Sequence, residues 1–248
     1  MYPHRNPVLG TIYLDEPDYS SEDSDEPLPR LYVSLIRFCP YSERIRLILS
    51  IKGNPDRMYK YIDSIDNPGD FLKRNHACKI PYIKYDEKVI YDSLEQADFL
   101  DEQYPELPLW NCSPSQKIVD KLFIESFAKV ETAVHKLFMT TKEVKNENFE
   151  ELIACLTPFE VELVKRGTKY FGGEEPNMMD VLMLPWFVLM DAINPYSKGK
   201  FIFPFDSKFP KLAEWKVSFV DLGVQLGYPK FLAEHIELIK SKISVLGI

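Results

Sequence analysis

Cysteine and histidine are scarce in this chain, with four of each in 248 residues. Cys39, Cys78, Cys112 and Cys155 are widely spaced and form neither a zinc-ligand pattern nor a disulfide framework. His4, His76, His135 and His235 do not cluster, so no metal site is expected. No run of about 18 uncharged apolar residues occurs, and no membrane span is expected. Basic charge is also in deficit: 30 Lys and Arg face 38 Asp and Glu, for a formal net charge of -8. Such a domain repels a phosphate backbone, and no basic run offsets it, so nucleic acid is not an expected partner. The segment from Met1 to Pro7 is polar and broken by proline, without the apolar stretch of a signal peptide. A cytoplasmic setting is expected, which keeps a working thiol reduced.

Hydrophobic residues make up 45% of the chain, enough for substantial cores. Residues 1–29 read as an acidic extension. Asp15, Glu16, Asp18, Glu22, Asp23, Asp25 and Glu26 fall close together among serines and prolines, which favours an extended, solvated chain. Alternatively, Ile12, Tyr13 and Leu14 anchor it as a strap on the folded body.

From residue 30 the pattern changes. Leu31–Ile36 reads as a buried strand, and Ser42–Lys52 as a helix closed by Gly53. A weaker strand covers Arg57–Ile62, and a short helix Gly69–Arg74. Pro81–Tyr85 and Lys88–Tyr91 form a hairpin around Asp86-Glu87. Ser93 then caps a helix, with Gln96 as its capping-box partner. The order implies a parallel βαβ opening followed by a hairpin. Prolines 105, 108 and 114 mark a linker, and the remainder is helical. The helices are expected around residues 118–138, 148–166 (bent or split at Pro158), from Met178, at 210–222 and at 229–245. The helix from Met178 is apolar on nearly all sides, and Asn177 with Asp180 supplies its start signal. The expected divisions are an extension (1–29), an α/β thioredoxin-like domain (30–104), a linker (105–113) and an all-α domain (114–248).

The chemistry concentrates at Arg37-Phe38-Cys39-Pro40-Tyr41-Ser42-Glu43-Arg44. A strand ends before Cys39 and a helix starts at or just after it, with Pro40 suited to the first helical position. Free amides and the helix dipole there favour a thiolate. Arg37 and Arg44 are expected to add positive potential. Ser42 stands where a Cys-x-x-Cys motif has its second thiol, so a disulfide on Cys39 is resolved from outside unless Cys78 folds nearby. The alternative is a buried structural cysteine. Ile80-Pro81 suggests a cis bond that presents the Ile80 backbone to an extended peptide, or else an ordinary strand-edge proline. The Ser93 hydroxyl and the helix behind it suit a carboxylate and Asp92 an ammonium group, or the pair is a cap without a ligand.

These stretches resemble omega-class glutathione transferases, insect members most of all, from about residue 30 onward. The resemblance is carried by Arg37–Tyr41, by Leu100-Asp101-Glu102-Gln103-Tyr104-Pro105, by Arg166–Glu174 and by Asp180–Phe187 with its Pro185-Trp186. It implies the glutathione transferase fold, a homodimer, and glutathione as co-substrate. By that resemblance Cys39 forms the mixed disulfide, Phe38 packs beside it, Ile80 and Pro81 meet the glutathione cysteine, and Asp92 and Ser93 hold the γ-glutamyl end. Asn67 stands where the family often has a lysine that reaches glutathione. Leu184-Pro185-Trp186 replaces a Trp-Pro-Trp, and Leu189 an arginine of the second-substrate pocket, so Trp186, Leu189 and Trp215 imply a more apolar pocket, unless Trp215 is a core tryptophan.

The implied activities are thiol transfer, dehydroascorbate reduction and a detoxifying role on small disulfide or electrophilic substrates. The alternatives are conjugation to apolar electrophiles and a non-enzymatic binding protein with reduced catalysis. A membrane-inserting protein of the same fold is a further alternative without support, because the first domain has no long apolar segment.

Overall fold

The computed structural model describes residues 30–34, 39–53, 59–62, 79–139, 145–191 and 193–225. The expected extension over 1–29, the helices at 69–74 and 229–245, and Arg37, Phe38, Asn67 and Cys78 lie outside them.

Four strands form one sheet in the order β2-β1-β3-β4: β1 (Arg30–Ser34), β2 (Tyr59–Ile62), β3 (Tyr82–Tyr85) and β4 (Lys88–Ile90). β1 runs parallel to β2, with Leu31 opposite Tyr59, and antiparallel to β3, with Leu31 opposite Ile83. The β3–β4 hairpin pairs Ile83 with Ile90. It turns at Asp86-Glu87, where Asp86 takes a left-handed φ of 51°, a conformation its short polar side chain tolerates. Helix α1 (Pro40–Ile51) crosses from β1 toward β2, which gives the expected βαβ opening. Its Lys52 C-cap is followed by Gly53 at φ 71°, as the helix stop requires.

Helix α2 (Ser93–Gln103) starts one residue earlier than a Ser93 cap implies. Asp92 is the cap: its Oδ1 accepts the Leu94 and Glu95 amides at 2.8 and 3.2 Å. A carboxylate is the better acceptor for helical amides, so it takes the role from its neighbour's hydroxyl. Gln96 makes no capping box. Its Nε2 donates instead to the Pro81 and Ile90 carbonyls, at 2.9 and 3.1 Å.

Beyond the linker come α3 (Pro114–Met139), α4 (Asn146–Arg166), α5 (Met178–Met190), α6 (Ile193–Tyr196), α7 (Phe205–Lys208) and α8 (Pro210–Gln225). Pro158 does not split α4. Leu152, Leu156, Phe159 and Leu163 continue one buried stripe across it, and that packing outweighs the missing hydrogen bond. Every residue of α5 is buried. The reciprocal capping box predicted at its start is present between Asn177 and Asp180.

The linker is tightly held. Lys52 Nζ, at the end of α1, donates to Asp101 at 2.6 Å and to the Tyr104 and Leu107 carbonyls at 2.7 and 2.6 Å. The Asp101 carboxylate also accepts the Leu109 and Trp110 amides. The Leu109 carbonyl in turn accepts the Met178 amide, the first of α5.

Asp180 is the hub of the helical core. Its carboxylate accepts the Phe171, Gly172 and Asn177 amides at 2.8, 2.9 and 2.8 Å and the Trp215 indole N–H at 2.7 Å. Burial pushes its pKa up to about 6 against these donors, so it is still charged at neutral pH. Gly172 is required here, since a Cβ would lie 2.4 Å from the Glu175 carbonyl oxygen. Trp215, expected to line a substrate pocket, is fully buried in this core against Phe171, Phe187 and Phe219. Its N–H is spent on Asp180, the arrangement of a core tryptophan.

Asp180→Asn turns an amide N–H₂ toward donors that need an acceptor. Urea denaturation is expected to show a loss of about 3 kcal/mol.

Candidate functional site

Cys39 is the N-cap of α1, with extended backbone angles and Pro40 at the first helical position. It is a free, partly exposed thiol and makes no side-chain cap hydrogen bond. Its carbonyl accepts the Glu43 amide at 3.1 Å and so begins the helix. Ser42, three residues on, is buried, and its hydroxyl has no hydrogen-bond partner. Cys112 and Cys155 are also free, and burial pushes both thiols up.

The Ile80-Pro81 bond is cis, as the sequence suggested. Gln96 ties the Pro81 carbonyl to α2, the helix whose N-terminus carries Asp92 and Ser93. Asp92 Oδ1 is committed to the cap, and Oδ2 has no hydrogen-bond partner among the described residues. Ser93 is buried, and its Oγ accepts from Arg44 Nη1 at a long 3.5 Å. A guanidinium only donates, so the Ser93 hydroxyl proton stays available to an acceptor.

Arg44 does not supply free positive potential to Cys39. It is buried to 2% exposure, and its Nε donates to the Leu182 carbonyl of α5 at 2.6 Å. Its Nη2 donates to Glu131 of α3. The other oxygen of Glu131 accepts the Tyr41 hydroxyl at 3.1 Å. The guanidinium carbon lies 5.5 and 5.9 Å from the Tyr41 and Trp186 ring centres, and those two rings meet edge to face. Burial, reinforced by the Glu131 charge, pushes the Tyr41 phenol up to about 12, so it remains a donor at neutral pH. No local signal links Tyr41 or Arg44 to Glu131, because the partners lie 90 and 87 residues apart.

The structure thus gathers two groups of the predicted residues. Cys39 opens α1, while Asp92 and Ser93 open α2, joined through Gln96 to the cis-proline segment. Trp186 lies beside Tyr41 but is 2% exposed, and its indole N–H is unpartnered. Leu189 is also buried, at 9%. Among the described residues, no group of three or more His, Cys, Asp or Glu is arranged to hold a metal, and no helix is long and apolar enough to cross a membrane. A surface pocket of about 400 Å³ lined by Gly167, Lys169, Lys211 and Glu214 is formed by other residues of the helical region.

Residues 38–103 match the profile of the glutathione S-transferase N-terminal domain, and residues 142–215 that of its C-terminal domain. Among curated proteins, pyrimidodiazepine synthase of Drosophila melanogaster is 32% identical over 195 residues, covering 77% of this chain and 76% of that protein. Glutathione S-transferase omega-1 of Sus scrofa is 31% identical over 170 residues, covering 68% and 69%. Among solved structures, glutathione transferase omega 3C of Trametes versicolor has a TM-score of 0.64 at 21% identity, covering 89% of this chain and 91% of the other. The fold, the two matched domains and these relatives together make the chain an omega-like member of the glutathione S-transferase family, whose co-substrate is glutathione.

Proposed function

We propose that the chain is a glutathione-dependent thiol transferase that works through a mixed disulfide on Cys39. The observation that carries this is a free cysteine at a helix start with Ser42, not a second cysteine, three residues on. The Cys39 thiolate attacks a glutathionylated substrate at the glutathione sulfur. The substrate thiolate leaves and takes up a proton, and glutathione stays on Cys39. A second glutathione, as thiolate, attacks that sulfur, releases the Cys39 thiolate and departs as glutathione disulfide. Dehydroascorbate reduction draws on the same two thiols: it takes two electrons and two protons as two glutathiones become one disulfide.

In this reading Ile80 and Pro81 pair with the glutathione backbone. Ser93 donates to the γ-glutamyl carboxylate, and Asp92 Oδ2 takes the ammonium group. Phe38 and Asn67 complete the binding surface. Trp186 and Leu189 border the second-substrate side. A cytoplasmic homodimer is part of the same proposal, as are the division into an acidic extension, a glutathione-binding domain and a helical domain, and a detoxifying role.

The deciding experiment is intact-mass analysis after incubation with glutathione disulfide. One glutathione is expected to add to the wild-type protein and none to Cys39→Ser. A wild-type protein that takes no adduct at any pH overturns the proposal, and turnover that survives Cys39→Ser reassigns the site to conjugation.

Gln96 is also expected to matter to glutathione binding, because it fixes the cis-proline segment relative to Asp92 and Ser93. Losing about 1.4 kcal/mol of hydrogen bonding in Gln96→Leu is expected to raise the KM for glutathione about ten-fold. Steady-state kinetics at varied glutathione checks this.

A further inference from the structure

The first residues of α1 lack the usual local cap. Cys39 makes no side-chain cap hydrogen bond, Pro40 brings no amide, and the Ser42 hydroxyl is unpartnered. Among the described residues, the tethers on this end of the helix include a long contact from Arg44 to Ser93 inside the first domain and several to the helical domain. Glu131 of α3 takes Tyr41 on one oxygen and Arg44 on the other, and Leu182 of α5 takes a second Arg44 donor. At the far end Lys52 fixes the helix to the linker. Arg44 is a buried cation, so Glu131 cannot leave it without stranding a charge. Tyr41, by contrast, is 36% exposed and contributes one hydroxyl to the tether.

We propose that Glu131 is a positioning residue for Cys39, acting through the Tyr41 hydroxyl to hold the first turn of α1 in place from the helical domain. This rests on Cys39 being the working thiol, and it adds that thiol placement in the first domain is set by a residue of the second. Glu131 touches neither thiol nor substrate in this role. With the tether cut, Cys39 and the amides behind it lose their fixed orientation, which lowers the rate of thiol attack more than it lowers glutathione binding at the cis-proline and Ser93.

The test uses Tyr41→Phe, which removes only the hydroxyl and keeps the ring against Trp186. Iodoacetamide is the probe: the Cys39 sulfur bonds to its carbon and iodide leaves, so glutathione plays no part. Peptide mass mapping follows Cys39, with Cys112 and Cys155 as internal controls. Tyr41→Phe is expected to slow Cys39 alkylation about five-fold. The kcat of thiol exchange should fall by a similar factor, while the KM for glutathione stays within about two-fold of wild type.

In a Glu131→Met background, which has no acceptor for Tyr41, adding Tyr41→Phe should change nothing further. If Glu131→Met alone does not fold, Arg44→Met with Glu131→Met removes the stranded charge and supplies the same background. Wild-type alkylation of Tyr41→Phe, a loss confined to KM, or independent effects in the combined variant each overturn the proposal. A merely structural tether would lower thermal stability and leave the per-molecule alkylation rate of Cys39 unchanged. A wild-type Cys39 that alkylates ahead of Cys112 and Cys155 yet accepts no glutathione would sink the thiol-transferase reading and leave this one standing.

Discussion

The buried ion pair between Arg44 and Glu131 is the interaction on which the site depends. A guanidinium placed between two domains loses its hydration and must find partners for its donors there. Arg44 finds them on three elements: the Leu182 carbonyl of α5, Glu131 of α3 and Ser93 at the start of α2. None of these alone would offset the cost of burying the charge. Together they fix where α1 lies relative to both the helical domain and the helix that carries Asp92 and Ser93. Isolated buried pairs are weak contributors to net stability, so the physical value of this one is orientation.

The same device recurs wherever two parts of the chain must be held together. Lys52 spends its charge on the Tyr104 carbonyl at the end of α2, the Leu107 carbonyl of the linker and Asp101, at the opposite end of α1 from Arg44. Asp180 spends its charge on three backbone amides and the Trp215 indole. Glu160 of α4 accepts the Lys211 and Leu212 amides and so caps α8 from outside that helix. In each case a buried charge is matched to backbone groups that secondary structure leaves unpaired at an element's end. The apolar core supplies cohesion without direction, and these charged joints supply the direction.

What was legible in the sequence follows the range of the interaction. Cys39 before Pro40, Gly53 after α1, the hairpin turn at Asp86 and the Asn177–Asp180 box are all written within a few residues, and each appears where local rules put it. Where local rules competed, the stronger acceptor won, and Asp92 capped α2 in place of Ser93. Arg44 was visible as a charge near Cys39, but its direction was not, because Glu131 and Leu182 lie 87 and 138 residues away. Gln96 was seen as half of a capping box, and its true role needs the hairpin folded beside it. Trp215 was open between pocket and core for a related reason: an aromatic in a helix is indistinguishable from a core residue until its N–H has a partner.

Cys39 explains why the long-range charges belong with the chemistry. Serine, threonine, aspartate and asparagine make good N-caps because their oxygens accept the first amides of a helix. A thiol is a weak acceptor, and a cysteine at this position gives up that local stabilisation. In return, the amides at the start of α1 are not occupied by their own cap, and they remain directed at whatever charge develops on the sulfur. Asp92 shows the opposite choice at the start of α2, where a carboxylate takes two amides and the adjoining Ser93 hydroxyl is oriented by Arg44. A helix start kept open for a reactive sulfur has to be held by something other than its cap. Within the described residues those holds include Tyr41 and Arg44, one on each oxygen of Glu131.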